Sequence, residues 1–411
     1  MKLPNLDKGT SLQSITQAIP INRKTKIKYL VTYGICFFAL GLGMAAIGPM
    51  LPYLANHVSV SLGQISYLFT AGSLGYLFGA AGGGQLFDRF NGHRLMLIAL
   101  LVMTLMCVVA PLASSFFILI AAIFILGLGQ GLLDVGGNVN IFRVIKVKAG
   151  AYLNALHFAF GVGAFIAPIL IHLTRELTGS QLNWPFWILA ILFIPGFIGL
   201  LLLESPENPD PTDQVKHNDI PKNGLVALIM LLFLLYVGIE AGYGGWIFTY
   251  SIEKQLANQT TASILNSLFW GSFTLGRLIT IPVARKVKPK TILIGNFTFA
   301  VLILVLILIW PDNKFIVWVV SAGFGLALSS IFPTLLVFAE GHMNMTGKIT
   351  GLFFLGSSLG STLLPMLLGQ IFDRFGSYPM MGALFSMTGM GFAVLLIVLF
   401  VSKHRGKFIS Q

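Results

Sequence analysis

Apolar segments of about 20 residues, each long enough to cross a bilayer as a helix, recur along this whole chain. Twelve can be counted: Tyr29–Leu54, Leu62–Phe87, Arg94–Ala113, Phe116–Val144, Ala149–His172, Trp184–Leu203, Gly224–Tyr250, Ala262–Val283, Lys290–Trp310, Lys314–Phe338, Ile349–Phe372 and Met380–Val401. Apolar residues make up 56% of the chain and charged residues 10%, far below the roughly 25% charge of soluble domains. Because a spanning segment must satisfy its own backbone hydrogen bonds, the sequence predicts an all-α membrane protein with twelve transmembrane helices.

The twelve segments form two sets of six, separated by a polar stretch that contains three prolines near its start. The fifth segment aligns with the eleventh, with Pro168 over Pro365, and the run Leu74–Leu77 aligns with Leu275–Leu278. We therefore predict two pseudo-symmetric six-helix bundles with a site at their interface. The predicted parts are a cytoplasmic N-terminal segment 1–28, a first bundle 29–203, a cytoplasmic linker 204–223, a second bundle 224–402 and a cytoplasmic tail 403–411.

Basic residues are concentrated on one side of the predicted membrane protein. Of the 26 Lys and Arg residues, twenty-one fall on the side of the chain termini, and four (Arg175, Lys254, Lys314, Arg374) fall on the other. This bias predicts cytoplasmic termini in an integral protein of the cell (inner) membrane. The net charge of +12 comes from short clusters between apolar segments, so we expect the lipid bilayer, and not nucleic acid, as the macroscopic partner.

The fourth segment carries a polar stripe on an otherwise apolar helix. Gln130, Asp134 and Asn138 are spaced by four residues, which places them on one face. An ionisable group at this depth is expensive and normally faces a bundle interior or a wet cavity. Asp134 is therefore a candidate for binding a substrate or a coupling ion, with an interhelical structural pair as the alternative. The two amides could bind hydroxyls or hold helices together.

Segments five and seven supply further candidates. His157 shares a face with Asn154 and could relay a proton or bind a hydroxyl, although a single His is often structural. Glu240 is the carboxylate in the interior of segment seven, and Tyr243 follows one turn later as the best aromatic candidate for a cavity. The pair Gly244–Gly245 could loosen this helix, as discontinuous helices do at transporter sites.

Arg277 is the basic residue deep within the eighth segment. A buried charge needs a counter-ion, and Glu240 on the preceding helix is the natural candidate. The sequence thus predicts an ion pair between these two residues.

The loop after the second segment carries a recognisable motif. It reads Gly-Gln-Leu-Phe-Asp-Arg-Phe-Asn-Gly-His-Arg over residues 84–94. This resembles the G-x-x-x-D-R-x-G-R/K-R/K signature of the major facilitator superfamily, apart from a one-residue shift at Asn91. The resemblance implies a conformational gate formed by Gly84, Asp88, Arg89 and Arg94, in which Asp88 caps a helix or pairs with Arg89 or Arg94. A nearly identical run, 369–375, falls on the opposite side of the membrane.

Three further runs resemble the fucose-permease and sodium-dependent glucose transporter branch of that superfamily: Asp134–Asn138, Leu156–Ala164 and Glu240–Trp246. One departure is that Tyr33–Pro49 lacks the acidic residue of the fucose-permease pattern. The coupling chemistry of that branch therefore does not carry over directly to this chain.

These features predict a secondary active transporter, rather than an enzyme, that moves a small polar solute such as a sugar by alternating access. H⁺ and Na⁺ are the candidate coupling ions, and we expect no resident metal or cofactor and a monomeric protein. One alternative is an exporter of amphipathic or drug-like compounds, because the many phenylalanines could line a hydrophobic cavity. The other alternative is a non-transporting receptor of the same fold.

Overall fold

The computed structural model describes residues 23–145, 149–207, 224–343, 345 and 347–408. Within these ranges the chain forms fifteen α-helices and no β-strand. In chain order they are α1 (Arg23–Ala45), α2 (Ile47–His57), α3 (Leu62–Ile65), α4 (Tyr67–Arg89), α5 (Gly92–Val109), α6 (Phe116–Ile145), α7 (Ala149–Leu177), α8 (Asn183–Leu201), α9 (Gly224–Glu253), α10 (Gln259–Ala284), α11 (Pro289–Ile309), α12 (Lys314–Leu328), α13 (Ile331–Glu340), α14 (Gly347–Phe375) and α15 (Tyr378–Phe408). Most of the predicted N-terminal segment and most of the predicted linker lie outside the described residues. The basic residues Lys146 and Lys148, between α6 and α7 in the sequence, also lie outside them.

Eleven helical segments of the described chain are long and apolar enough to cross a membrane, so the chain is an integral membrane protein. The second predicted segment is not among them, because α4 contains many glycine, serine, threonine and tyrosine residues. Glycines on α4 and α6 let the two helices touch backbone to backbone, and they are Gly75, Gly79, Gly127 and Gly131. A Cβ at Gly75 would lie 2.0 Å from the carbonyl oxygen of Phe124. The count of twelve transmembrane helices stays a prediction.

Three predicted segments are each divided into two helices. The second segment divides into α3 and α4 at Ser66, where no proline is present, and the other two divisions each precede a proline. The first segment divides into α1 and α2 at Ala46, and the tenth divides into α12 and α13 at residues 329–330. These prolines are Pro49 and Pro333, and the missing N–H of each removes the hydrogen bond to the carbonyl four residues earlier. That leaves the carbonyl of Ser329 without its helical partner.

The expectation that Gly244–Gly245 loosens a helix is not met, because α9 runs unbroken from Gly224 to Glu253. The glycines instead allow a close helix contact. A Cβ at Gly48 on α2 would lie 2.7 Å from the carbonyl oxygen of Gly245. Because glycine has no side chain, the backbones of α2 and α9 can approach each other closely here.

Helix packing is repeated along the chain. In the first set of helices α1 packs on α7 and α4 packs on α6, and in the second set α9 packs on α14 and α10 packs on α12. The two sets meet where α7 packs on α10 and where α14 packs on α4. These are the contact pairs that the aligned segments of an internal repeat predict.

One end of the bundle, which we call the distal end, contains the connections α2–α3, α9–α10 and α14–α15. The first described residue of α1, Arg23, and the last of α15, Phe408, lie at the other end. Between described residues, hydrogen bonds join the two sets of helices at Ser61–Asp373, Gly63–Gln370, Ser66–Met366 and Thr70–Thr362. All four lie in the distal half of α3, α4 and α14, so the two sets are held together there.

Candidate functional site

Both carboxylate oxygens of Asp134 have hydrogen-bond donors. The hydroxyl of Tyr76 on α4 donates to Oδ2, and Nδ2 of Asn138 donates to Oδ1 at 3.0 Å. The same Nδ2 lies 3.0 Å from the backbone oxygen of Asp134. The acid is thus held by its own helix and by α4. The sequence interpretation missed Tyr76, although its alignment with Arg277 in the repeated Leu-Gly-x-Leu run could have indicated it.

Gln130 lies on the same helix face, as predicted, but it packs differently. Its side chain is buried, with 6% exposure, and its Nε2 would lie 3.1 Å from a Cβ placed on Gly43 of α1. Gln130 therefore contacts α1, whereas Asn138 is used locally to bind Asp134. Whether either amide binds a solute stays a prediction.

On α7, His157 is partly buried and Asn154 is exposed. The imidazole makes a T-shaped contact with the ring of Phe37 on α1, with centroids 5.5 Å apart. It also lies within electrostatic reach of Arg277 on α10. His157 is thus placed between the two sets of helices.

Arg277 and Glu240 lie close enough for their charges to interact, but the three salt bridges among the described residues do not include this pair. The predicted ion pair is not formed in this conformation. Instead Nε of Arg277 donates to the carbonyl oxygen of Ser329 at 3.3 Å, and its Cζ lies 4.5 Å from the ring centroid of Phe273. The acceptor is the carbonyl that the break before α13 exposes.

Tyr243 lies in the packed interior of the second set of helices. Its side chain is fully buried, its hydroxyl lies 2.9 Å from Oγ of Ser321, and its ring contacts Phe269 and Phe324. The structure therefore places this aromatic residue in helix packing and not in a cavity. The hydroxyl of Tyr236, one turn before Glu240, is buried and lies beside both the Glu240 carboxylate and the Arg277 guanidinium.

The motif at 84–94 is built around a pair that the sequence interpretation did not identify. Asp88 pairs with Arg143 of α6 at 3.7 Å, and not with Arg89 or Arg94. Arg143 also donates to the carbonyl oxygen of Phe87 at 2.8 Å. Asn91, the residue that shifts the motif, caps α5 by accepting from the backbone of Arg94 at 3.0 Å. Gly84, Asp88, Arg89 and Arg94 are all exposed, and their role as a gate stays a prediction.

The similar run at 369–375 makes direct contacts between the two sets of helices. Asp373 accepts from Oγ of Ser61 at 2.9 Å, and Nε2 of Gln370 donates to the carbonyl oxygen of Gly63 at 2.8 Å. Ser61 also begins α3 with a capping box that includes Gln64. We call Ser61, Gly63, Gln370 and Asp373 the distal clamp. The sequence interpretation noted this run but assigned it no contact.

Charged side chains inside membrane-spanning helices, in two packed sets of helices with repeated contacts, define a polytopic membrane protein of the transporter type. The chain belongs to the Major Facilitator Superfamily, whose family model matches residues 33–365. The membership that the motif predicted is thereby confirmed.

Among curated proteins, the chain is similar to sodium-dependent glucose transporter 1 of Xenopus laevis, with 30% identity over 369 residues, covering 83% of this chain and 75% of that protein. The protein of the same name in Danio rerio is 30% identical over 412 residues, covering 91% of this chain and 69% of that protein. Human major facilitator superfamily domain-containing protein 4A is 26% identical over 477 residues, covering 92% of both chains. The superfamily and the names of these relatives point to a transporter.

Proposed function

We propose that this protein is a secondary active transporter that carries a small polar solute, with sugars as the first class to test. The observation that carries the proposal is the presence of Asp134, Glu240 and Arg277 inside membrane-spanning helices of a superfamily transporter. Charged residues at such depth are costly, and they normally mark a substrate or ion pathway. The names of the relatives, sodium-dependent glucose transporters, support a sugar.

The proposed mechanism is alternating access between two six-helix halves, α1–α8 and α9–α15. The distal clamp supports it, since hydrogen bonds hold the halves together at the distal end in this conformation. With cytoplasmic termini, this is a state closed to the outside. Rocking of the halves would break the clamp and bring the site to the outer surface.

Coupling to a proton or sodium gradient completes the proposal. Asp134 and Glu240 are the candidate coupling residues, because a carboxylate can either take up a proton or bind a sodium ion. We propose that no other cofactor is required and that a monomer in the cell membrane is the working unit.

Uptake by purified protein in liposomes tests this function. D-[¹⁴C]glucose and L-[¹⁴C]fucose are offered under an inward proton gradient, an inward sodium gradient or neither, with an amphipathic dye as a third cargo. We expect gradient-driven sugar uptake that falls at least tenfold in Asp134→Asn and in Glu240→Gln. Glu253→Gln, at the exposed end of α9, is the matched control and should transport like the parent.

Two results would count against the proposal. Parental uptake by both Asp134→Asn and Glu240→Gln removes the site assignment while leaving transport intact. Transport of the dye without either sugar supports an exporter of amphipathic compounds instead.

A further inference from the structure

We propose that Tyr76 is a positioning residue of the transport site. Its hydroxyl donates a hydrogen bond to the Asp134 carboxylate until a hydroxyl of an uncharged polyol takes its place. This inference rests on the proposed function, since it takes Asp134 to belong to the transport site. It adds a residue to that site and a chemical class to the solute. Asp134 and Tyr76 are both only partly buried, and the inference requires that a solute reach the bond between them when the halves move.

Contacts of the helix backbones place the Tyr76 hydroxyl. Gly131 of α6 lies so close to α4 that a Cβ on it would be 2.1 Å from the carbonyl oxygen of Tyr76. Tyr76 therefore sits within the close backbone contact between the two helices. From there its hydroxyl reaches Oδ2 of Asp134 on the neighbouring helix. A side chain anchored in this way loses little conformational entropy on binding, which favours a defined geometry.

The internal repeat supports a site role for this position. Tyr76 aligns with Arg277, and each residue donates from the second helix of its half to the fourth helix. Beside Arg277, Gly276 packs against Ser329 as the glycines of α4 pack against α6, since a Cβ there would be 2.3 Å from Oγ of Ser329. The internal repeat thus places one hydrogen-bond donor from each half at the same depth in the helix bundle.

The chemistry of the donor indicates the solute. Arginine at position 76 would form an ion pair with Asp134, and a neutral solute could not easily displace it. A phenol is a neutral donor, so exchange for a solute hydroxyl swaps one hydrogen bond for another of the same kind. Such an exchange costs little free energy. The second carboxylate oxygen stays bound to Asn138 throughout, which keeps the side chain oriented.

Carbodiimide labelling tests this arrangement without requiring transport. Dicyclohexylcarbodiimide reacts with carboxyl groups in apolar surroundings, and mass spectrometry separates Asp134 from Glu240. In Tyr76→Phe we expect labelling of Asp134 to accelerate about tenfold, as loss of a hydrogen bond to a charged group predicts. Glu240 serves as the internal reference, and Tyr67→Phe, an exposed tyrosine on the same helix, is the matched control. In the variant, D-glucose or the polyol sorbitol should slow the accelerated labelling again.

Three outcomes would overturn the inference. One is labelling of Asp134 at the parental rate in Tyr76→Phe. Another is an equal rise at Glu240, which would show general loosening of the helices. The third is protection by a charged solute such as gluconate but not by sorbitol or D-glucose. These outcomes can be told apart from failure of the proposed function. Normal transport by Asp134→Asn would contradict the proposed function, but it would not change the rate at which Asp134 is labelled in Tyr76→Phe.

Discussion

His93, inside the loop motif, shows how one buried polar side chain can join several elements. It is 3% exposed, with Nε2 2.8 Å from the Tyr33 hydroxyl and Nδ1 3.0 Å from the carbonyl oxygen of Leu203. A carbonyl can only accept, so Nδ1 carries the proton and Tyr33 donates to Nε2. The ring thereby connects α1, α5 and the chain just after α8.

Removing one atom from this cluster should lower stability. Tyr33→Phe leaves Nε2 of His93 buried without a partner, which costs about 1–3 kcal/mol. We expect a lower Tm in detergent solution for Tyr33→Phe than for the parent. Tyr67→Phe, which changes an exposed tyrosine, is the control and should leave the Tm unchanged. An unaltered Tm in Tyr33→Phe would show that the bond contributes nothing.

The sequence indicated which charged residues lie inside the membrane, but not which partners they have. Asp134 is bound by Tyr76, which lies 58 residues earlier in the chain. Arg277 bonds to a carbonyl that only becomes available because α12 ends before Pro333. Every residue has a backbone carbonyl, so the sequence does not reveal which one accepts from Arg277. The expectation of an opposite charge therefore pointed to Glu240 instead.

Among the elements, α3 and the last turn of α14 are short segments with a large effect on how the halves meet. The side chains of Ser61 and Gln370 each cross between the halves. Two hydrogen bonds, each with a net contribution of about 1 kcal/mol, are weak enough to break as the proposed transport cycle requires. Such a clamp can set an equilibrium between states without trapping one of them.

Weakening the clamp should open the distal end. Asp373→Ala removes the acceptor for Ser61, and a loss of about 1 kcal/mol shifts a two-state equilibrium about fivefold. A cysteine introduced at Thr70, behind the clamp, should then react about five times faster with an impermeant maleimide added from the distal side, whereas the two native cysteines, Cys36 and Cys107, are buried. Asp312→Asn breaks an exposed ion pair with Lys254 and serves as the control. Equal rates in Asp373→Ala and the parent would show that the clamp does not hold this end closed.

The prolines show why the sequence could predict where the helices lie but could not predict where a helix is interrupted. Pro168 and Pro365 lie inside continuous helices, whereas Pro49 and Pro333 follow breaks. Neighbouring helices can satisfy the freed backbone groups in one place and not in another. That difference depends on tertiary contacts, so apolar length indicated the segments but could not distinguish a kink from an interruption.

For the whole molecule, the orientation in the membrane decides what the closed distal end means. Twenty-one basic residues on the side of the termini against four on the other predict cytoplasmic termini. The distal clamp then faces outward, and the described conformation is closed to the outside. With the opposite orientation, the same structure would be closed to the cytoplasm instead.

Reporter fusions test this orientation directly. A fluorescent protein fused after Gln411 should fluoresce in bacterial cells, and alkaline phosphatase fused at the same point should be inactive, because it folds only outside the cytoplasm. Phosphatase inserted after Gln255, in the connection between α9 and α10 at the distal end, is the matched control and should be active. Active phosphatase at Gln411 would reverse the topology. It would also reverse the side from which maleimide reaches position 70 when the clamp opens, so the two experiments must agree for one arrangement of the bundle to hold.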